Sequence, residues 1–345
     1  MAASANTDRQ SEASAGPRRS LRDRSLVLGL LLLAGIAVAC VGTIPWTFAR
    51  VGSDATSPRR YEAGNLELNL LPPSWLPVSS EESTSIAMRV ESIEAQGGFV
   101  PGTLLGTDRL GRDVAARLLA GGVVSLAVGF AAALVAVVVG TLYGALSGFT
   151  GGRLDALLMR GVDVLYGLPS ILLVVLLAVA VEGAIDRAGW EPRPAARQWI
   201  SLGTLFVAIG GIGWLTLARI VRGQVLSLRG QPFMEACEAL AIPWRRRFAR
   251  HLLPNLAGPV LVYATLAIPS AMLAESFLSF LGIGVREPLP SWGNLASEAL
   301  QELNPFRSRW WLLAAPCLAL SATLVGLNLV GDRLRRRFDP ASRTS

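Results

Sequence analysis

All 32 basic residues of this 345-residue chain are arginines, so the sequence contains no lysine. A phosphate-binding loop of the Walker type requires a Gly-Lys-Ser/Thr sequence. A Schiff-base enzyme requires a lysine amine. Neither site can be built from this chain, and we expect any ATP-driven step to depend on a site in another protein.

Metal-binding and nucleophilic residues are also scarce. The three cysteines, Cys40, Cys237 and Cys317, lie far apart, and the only histidine is His251. No metal-ligand spacing or disulfide framework can be recognised, and a lone histidine cannot form a His-based metal site. The sequence also lacks HExxH and GxSxG motifs. We therefore expect no catalytic site, no metal and no cofactor in this chain.

Charged residues make up only 17% of the sequence, whereas hydrophobic residues make up 52% and the mean hydropathy is +0.46. Average soluble domains carry roughly 25% charged residues. This composition indicates an integral membrane protein surrounded by lipid. The net charge of +7 could indicate nucleic-acid binding, but the arginines flank apolar runs and form no basic face, so no nucleic-acid partner is expected.

A helix needs about 20 apolar residues to cross a bilayer core about 30 Å thick. Six runs are almost free of charge, and only a helix satisfies their backbone groups in lipid. We predict an all-α membrane protein with six transmembrane helices, at 25–49, 118–152, 164–181, 198–218, 252–285 and 310–331. The first apolar run is too long for a cleaved signal peptide, so we expect it to be retained.

Arginines concentrate in the N-terminal tail, in the segment 219–255 and in the C-terminal tail. The positive-inside rule then places both termini in the cytoplasm. The predicted organisation is a disordered cytoplasmic tail, a first transmembrane helix, an external loop with an amphipathic segment, a five-helix core and a cytoplasmic tail. Their ranges are 1–24, 25–49, 50–117, 118–332 and 333–345.

The external segment is expected to contain little regular structure over 50–105, because prolines interrupt it. Leucine and valine then recur at helical spacing through 107–120, among charged residues. This pattern predicts an amphipathic helix at the membrane surface that leads into the second span.

The cytoplasmic segment 219–255 contains a predicted helix that begins at Pro232 and is broken before Pro243. A second short helix is expected to continue from there to Pro254. Small, aromatic and arginine side chains cover this helix–break–helix unit, which is typical of a docking surface. An ordinary arginine-rich loop is the alternative.

Two features within the spans are candidates for a polar pathway through the membrane or for an interface with another subunit. Gly140, Gly144 and Gly148 repeat every four residues, which permits close helix contact either inside the bundle or between subunits. Glu275 is an intramembrane acid, which is costly unless it faces protein or water. It either lines the pathway or lies near the external surface.

Four motifs occur in the same order as in one family of transporters. They are GTDRLGRD at 106–113, EACEALAIPWRRRFARHLLPN at 235–255, LSFLGIG at 278–284 and PSWGN at 290–294. With LPPSW at 71–75 and features of the last helix, they resemble the second permease subunit of dipeptide, oligopeptide and nickel ABC importers. The resemblance extends over about 25–340.

This resemblance implies the type I ABC importer permease fold in the bacterial cytoplasmic (inner) membrane. It also implies four kinds of contact: a homologous sister permease, two cytoplasmic ABC ATPases, an external solute-binding protein and lipid. The resemblance assigns ATPase coupling to residues of the cytoplasmic segment, namely Glu235, Ala236, Cys237, Ala241, Trp244, Arg247 and His251. Dipeptide, oligopeptide, glutathione-like peptide and nickel chelate remain open as solutes.

The chain departs from the family pattern at four places. Cys237 replaces an alanine, Ala241 replaces a glycine, Trp244 stands where a short polar residue is common, and about 25 residues near 77–101 are additional. If position 241 needs a left-handed backbone, alanine there costs about 1 kcal/mol. The alternative function is a standalone ion-coupled secondary transporter, which would need paired intramembrane acids or an inverted repeat.

Overall fold

The structure is a computed structural model that describes residues 16–52, 54, 57–189, 193–303 and 308–338. In this part of the chain, helices are the only long regular elements, and β-structure is limited to isolated bridges. The twelve α-helices are α1 (Gly16–Gly42), α2 (Ile44–Thr47), α3 (Ser80–Ala95), α4 (Val114–Thr150), α5 (Gly152–Tyr166), α6 (Ser170–Arg187), α7 (Pro194–Arg229), α8 (Pro232–Ala239), α9 (Trp244–Arg246), α10 (Leu253–Phe280), α11 (Trp292–Leu300) and α12 (Trp310–Phe338).

Five stretches of helix are long and apolar enough to cross a membrane, which agrees with five of the six predicted spans. They are Ser25–Thr47, Val114–Thr150, Ala196–Arg229, Trp244–Phe280 and Trp310–Arg336. The predicted span 164–181 falls on the pair α5 and α6, which together are long and apolar enough for a sixth span but are bent by 89° where they meet. Pro169 precedes α6, and proline disfavours helical geometry at the residue before it, which accounts for the break.

The centre of the bundle is the pair α4 and α7, which contact each other along most of their length. Helix α10 packs against both of them, and α12 packs against α1 and α10. A buried apolar cluster between α4, α7 and α10 includes Val128, Leu205 and Leu278. The fold therefore places α5 and α6 at the side of a well-packed core.

The prediction that 50–105 has little regular structure is wrong for the additional residues, because α3 covers most of them. Ser79 caps α3 by accepting a hydrogen bond from the Glu82 backbone N–H. Ile93 of α3 packs with Leu68 and Leu71 in a small buried cluster. The extra segment thus packs against the loop that contains Leu68 and Leu71.

The predicted amphipathic helix over 107–120 is also wrong in its first half. Helix α4 begins only at Val114, where Asp113 caps it by accepting hydrogen bonds from Ala115 and Ala116. Gly106 and Gly111 have φ of +77° and +67°, a left-handed backbone that a helix does not allow. Residues 107–113 therefore form a folded turn.

Part of each predicted terminal tail belongs to a helix. Helix α1 already begins at Gly16, so residues 16–24 belong to the first helix. Helix α12 continues to Phe338, past the predicted end of the core at 332. The rest of the predicted tails, 1–15 and 339–345, lies outside the described residues.

Candidate functional site

The segment 219–255, predicted to be cytoplasmic, forms a compact helical unit between α7 and α10. Helix α7 ends at Arg229, and Gly230 and Gln231 connect it directly to α8. Pro232 occupies the first turn of α8, where a missing N–H costs nothing, and Glu235 lies in the same turn at the positive end of the helix dipole. The predicted helix from Pro232 is thus confirmed.

Helix α8 ends in a Schellman motif, the common left-handed helix terminus. The Ile242 N–H donates to the Cys237 carbonyl at 3.1 Å, and the Ala241 N–H donates to the Glu238 carbonyl at 2.9 Å. Ala241 has φ of +53°, although glycine usually occupies this position. The chain therefore keeps a left-handed turn at Ala241, despite the cost of a Cβ in that conformation.

The outward side of this unit carries small and apolar side chains. Glu235, Ala236 and Ala241 are exposed, and Leu240 and Trp244 expose 74% and 54% of their surface. The Arg245 guanidinium lies 5.5 Å from the Trp244 ring. Exposed apolar side chains beside small residues form a surface that another protein can approach closely.

The other predicted coupling residues face inward or lie at the edge. Cys237 is buried with Met234, so its side chain does not belong to the exposed face of α8, and its role in ATPase coupling stays a prediction. Arg247 is largely covered and pairs with Glu238 at 3.2 Å. His251 is half-buried.

The second helix of the unit does not stop at Pro254 as predicted. Residues Arg247–Leu252 form a π-helical turn that passes directly into α10, so Trp244–Phe280 is continuous. A π-turn shifts the hydrogen-bond register, and the helix can therefore continue through Pro254, which has no backbone N–H to donate. Phe248 packs edge-on against Phe149 of α4 at 5.4 Å. The unit is therefore joined rigidly to the membrane core.

The glycines on α4 pack inside the chain. A Cβ on Gly140 would lie 2.8 Å from the Leu217 Cβ, and a Cβ on Gly148 would lie 2.9 Å from the Val225 Cβ. A Cβ on Gly144 would collide with the Ala218 carbonyl oxygen. These glycines allow α4 and α7 to approach each other, which agrees with the first alternative, contact inside the bundle, and places them in this chain's own packing.

Glu275 lies inside the protein and has no exposed surface. Its carboxylate accepts hydrogen bonds from the hydroxyls of Ser125, Ser276 and Ser279 at 3.0, 3.2 and 2.8 Å. Ser125 also accepts the Trp292 backbone N–H, at 3.2 Å. Glu275 therefore connects α4, α10 and α11 inside this chain, instead of facing the solvent or a second permease.

A large apolar cavity opens beside the bundle. Its volume is about 670 Å³, and α4, α6, α7 and α10 supply its walls. Ser170, Thr216, Tyr263 and Ser270 are its polar lining residues. The remaining walls are apolar, so the cavity offers hydroxyl groups but no charge to a molecule that enters it.

An ionic cluster lies at the N-terminal end of α4, and it was not predicted from the sequence. Arg117 donates to Glu298 at 2.6 and 2.9 Å and to Asp108 at 2.5 Å. Arg112 donates to the same Asp108 at 2.7 Å. Both arginines are buried. The cluster fastens the turn 107–113 to α4 and α11, and the dense charge of 106–113 was the signal that could have indicated it.

Burial also affects one ionisable group of the external segment. Tyr61 is buried against Phe48, and desolvation raises the pKa of its phenol to about 12. In the described residues, no three His, Cys, Asp or Glu side chains are placed to hold a metal ion.

Residues 140–344 match the family described as binding-protein-dependent transport system inner membrane component. The oligopeptide transport system permease protein of Haemophilus influenzae is 38% identical over 328 residues, covering 94% of this chain and 88% of the relative. The dipeptide transport system permease protein of Bacillus subtilis is 40% identical, covering 69% of this chain and 68% of the relative. The oligopeptide transport system permease protein of Escherichia coli K12 is 45% identical, covering 70% and 74%.

Proposed function

The chain belongs to the family of binding-protein-dependent transport system inner membrane components and is a permease subunit of an ABC importer, and we propose that its solute is a peptide or a related small molecule. Three similar permeases carry peptide-transport names, which supports this solute class. The cavity of about 670 Å³ is large enough for a small solute, and its uncharged walls suit cargo of varied side chains.

The proposed assembly contains this chain, a homologous sister permease, two cytoplasmic ATPases and an external solute-binding protein. ATP is hydrolysed by the ATPases, because the chain has no lysine with which to build a Walker loop. Each permease supplies half of the pathway, and the walls formed by α4, α6, α7 and α10 are this chain's share.

The exposed face of α8 and the following turn is the proposed contact with one ATPase. The observation that carries this proposal is the division of α8 into two sides. Glu235, Ala236 and Leu240 face outward, whereas Met234 and Cys237 are buried against the rest of the chain. A partner can therefore contact small outward residues while the inward residues transmit its motion to α7 and α10.

The double variant Glu235→Arg and Ala236→Arg tests this contact in the co-expressed complex. We expect ATPase co-purification to be lost, because two large, positively charged side chains would replace a glutamate and an alanine on the exposed side of α8. The matched control is Glu91→Arg, a charge reversal at an exposed site of α3. Retained co-purification of the double variant would refute the contact, as would an equal loss in the Glu91→Arg control.

The proposed orientation places both termini and α8 in the cytoplasm, with α3 outside. Leu240 and Met88 expose 74% and 60% of their surface at these two sites. Single cysteines at either position can be labelled in a Cys317→Ser background, since Cys317 is the exposed native cysteine among the described residues. In intact cells, an impermeant maleimide should label Met88→Cys but not Leu240→Cys; the reverse pattern would invert the topology.

A standalone ion-coupled transporter is not supported. The relatives are permeases of transport systems. The buried Glu275 side chain accepts hydrogen bonds from three serines and is not paired with a second acid there. Uptake by the whole complex in vesicles should therefore require ATP. Uptake by this chain alone under an ion gradient would refute the proposed function.

A further inference from the structure

Helix α5 lies between two changes of chain direction. Gly151 and Gly152, at its N-terminal end, have φ of +66° and +61°, which glycine adopts without strain. At the other end, α5 meets α6 at a bend of 89°. Because neither junction continues the helix, side-chain contacts must hold α5 in its orientation.

Few side chains of α5 are buried. They are Asp155, Met159 and Val162, and the two apolar ones pack in a small cluster with Leu215 of α7. Apolar packing is non-directional and permits sliding. Asp155 is the charged member of this set, and its contacts have a fixed geometry.

Asp155 joins α5 to both central helices. The Arg222 guanidinium on α7 donates to the two carboxylate oxygens at 2.6 Å each, and the Ser147 hydroxyl on α4 donates at 2.5 Å. Asp155 is only 8% exposed, which limits screening by salt. A two-pronged arginine–carboxylate pair fixes angle as well as distance. Rotation of α7 about its own axis would therefore turn α5 with it.

The position of this pair connects the cytoplasmic unit to the cavity. Arg222 lies about two helical turns before the end of α7, where Gly230 and Gln231 lead into α8. Beyond the bend, Ser170 and Val174 of α6 line the cavity. One route from α8 to the α6 part of the cavity wall therefore passes through α7, the Asp155–Arg222 pair and α5, whereas α7 and α10 also line the cavity directly.

We propose that Asp155 is a positioning residue that clamps α5 to Arg222, so that displacement of α8 by an ATPase moves α6 at the cavity wall. This inference rests on the proposed function, because it assumes that an ATPase moves α8. It adds a residue that touches neither the solute nor the ATPase but determines how much transport each ATP supports.

The test uses the complete complex in lipid vesicles and measures solute uptake and ATP hydrolysis in parallel. Asp155→Asn removes the charge of the carboxylate, and Arg222→Lys removes the two-pronged guanidinium. We expect each variant to lower uptake per ATP by about tenfold while hydrolysis persists. The matched control is Asp163→Asn, on the same helix, because Asp163 pairs with Arg219 of α7 at an exposed site. Its uptake per ATP should match the wild type.

A distance measurement separates positioning from simple stability. Spin labels at Leu157→Cys on α5 and Leu226→Cys on α7, both exposed positions, report the separation of the two helices in a Cys317→Ser background. We expect one narrow distance distribution with and without ATP in the wild type, and a broad one in Asp155→Asn. If Asp155→Asn fails to assemble, Arg222→Lys provides the same comparison.

Wild-type uptake per ATP in both variants, or narrow distributions in both, would overturn the clamp. That outcome leaves the proposed function intact. A different result would refute the proposed function: the wild-type complex would not co-purify with ATPases, or it would not couple uptake to ATP.

Discussion

Arg117 on α4 and Glu298 on α11 form a two-pronged ion pair across 181 residues of sequence, with distances of 2.6 and 2.9 Å. Arg117 is only 1% exposed, and it also contacts Asp108 of the external turn. One guanidinium thus holds together the turn 107–113, the start of α4 and α11.

We expect Arg117→Leu to lower the stability of the chain by about 3–5 kcal/mol, because Glu298 and Asp108 would lose their shared buried partner. Thermal unfolding of the detergent-purified complex measures this as a lower Tm. The control is Arg109→Leu, whose side chain is 58% exposed beside Glu302 and should contribute about 0–1 kcal/mol. Equal shifts in both variants would contradict a structural role of the buried cluster.

The contact between α4 and α7 predicts that Gly144→Ala is destabilising by about 1–3 kcal/mol, because its Cβ would collide with the Ala218 carbonyl oxygen. Gly211→Ala on α7 is the control, since a Cβ there has no neighbour within 4 Å among the described residues. Alanine is the better helix former, so this control should keep or raise the Tm. A Tm loss for Gly211→Ala as large as for Gly144→Ala would refute close packing as the cause.

The left-handed backbone at Ala241 predicts a stabilising substitution. Ala241→Gly removes the Cβ clash and should raise stability by up to about 1 kcal/mol, after the greater freedom of glycine in the unfolded chain is counted. Ala239→Gly, at the C-terminal residue of α8, should instead lower stability, by at most about 0.5–1 kcal/mol. The Tm values of the two variants should move in opposite directions, and a lower Tm for Ala241→Gly would disprove the strained turn.

The serines around Glu275 predict an order of stability. Glu275→Gln keeps one carbonyl acceptor, whereas Glu275→Leu leaves three buried hydroxyls without their acceptor, at about 1–3 kcal/mol for each one left unsatisfied. We expect the Tm of Glu275→Leu to lie clearly below that of Glu275→Gln. Ser270→Ala, at an exposed site on the same helix, serves as the neutral control. A Glu275→Leu variant as stable as Glu275→Gln would show that the polar cluster contributes nothing.

Long charge-free runs were sufficient to locate five of the spans. Runs such as 310–331 are long and uncharged, and only a helix satisfies such a backbone in lipid. The cytoplasmic unit was also predictable, because Pro232 and Pro243 mark where a helix can begin and must end. The bend between α5 and α6 was missed, since Pro169 lies inside an otherwise uninterrupted apolar run.

The sequence alone determined that this chain has the composition of a membrane protein and cannot build a Walker-type ATP site, because charge-free runs and the missing lysine are properties of composition. Tertiary structure alone decided the partners of the polar and small residues. Glu275 was compatible with a pathway or an external surface, Gly144 with contact inside the bundle or between subunits, and Arg117 had no predicted partner, yet each has its contacts inside the chain. The physical reason is that periodicity identifies the faces of one helix, whereas the partner of each face depends on packing between helices far apart in sequence.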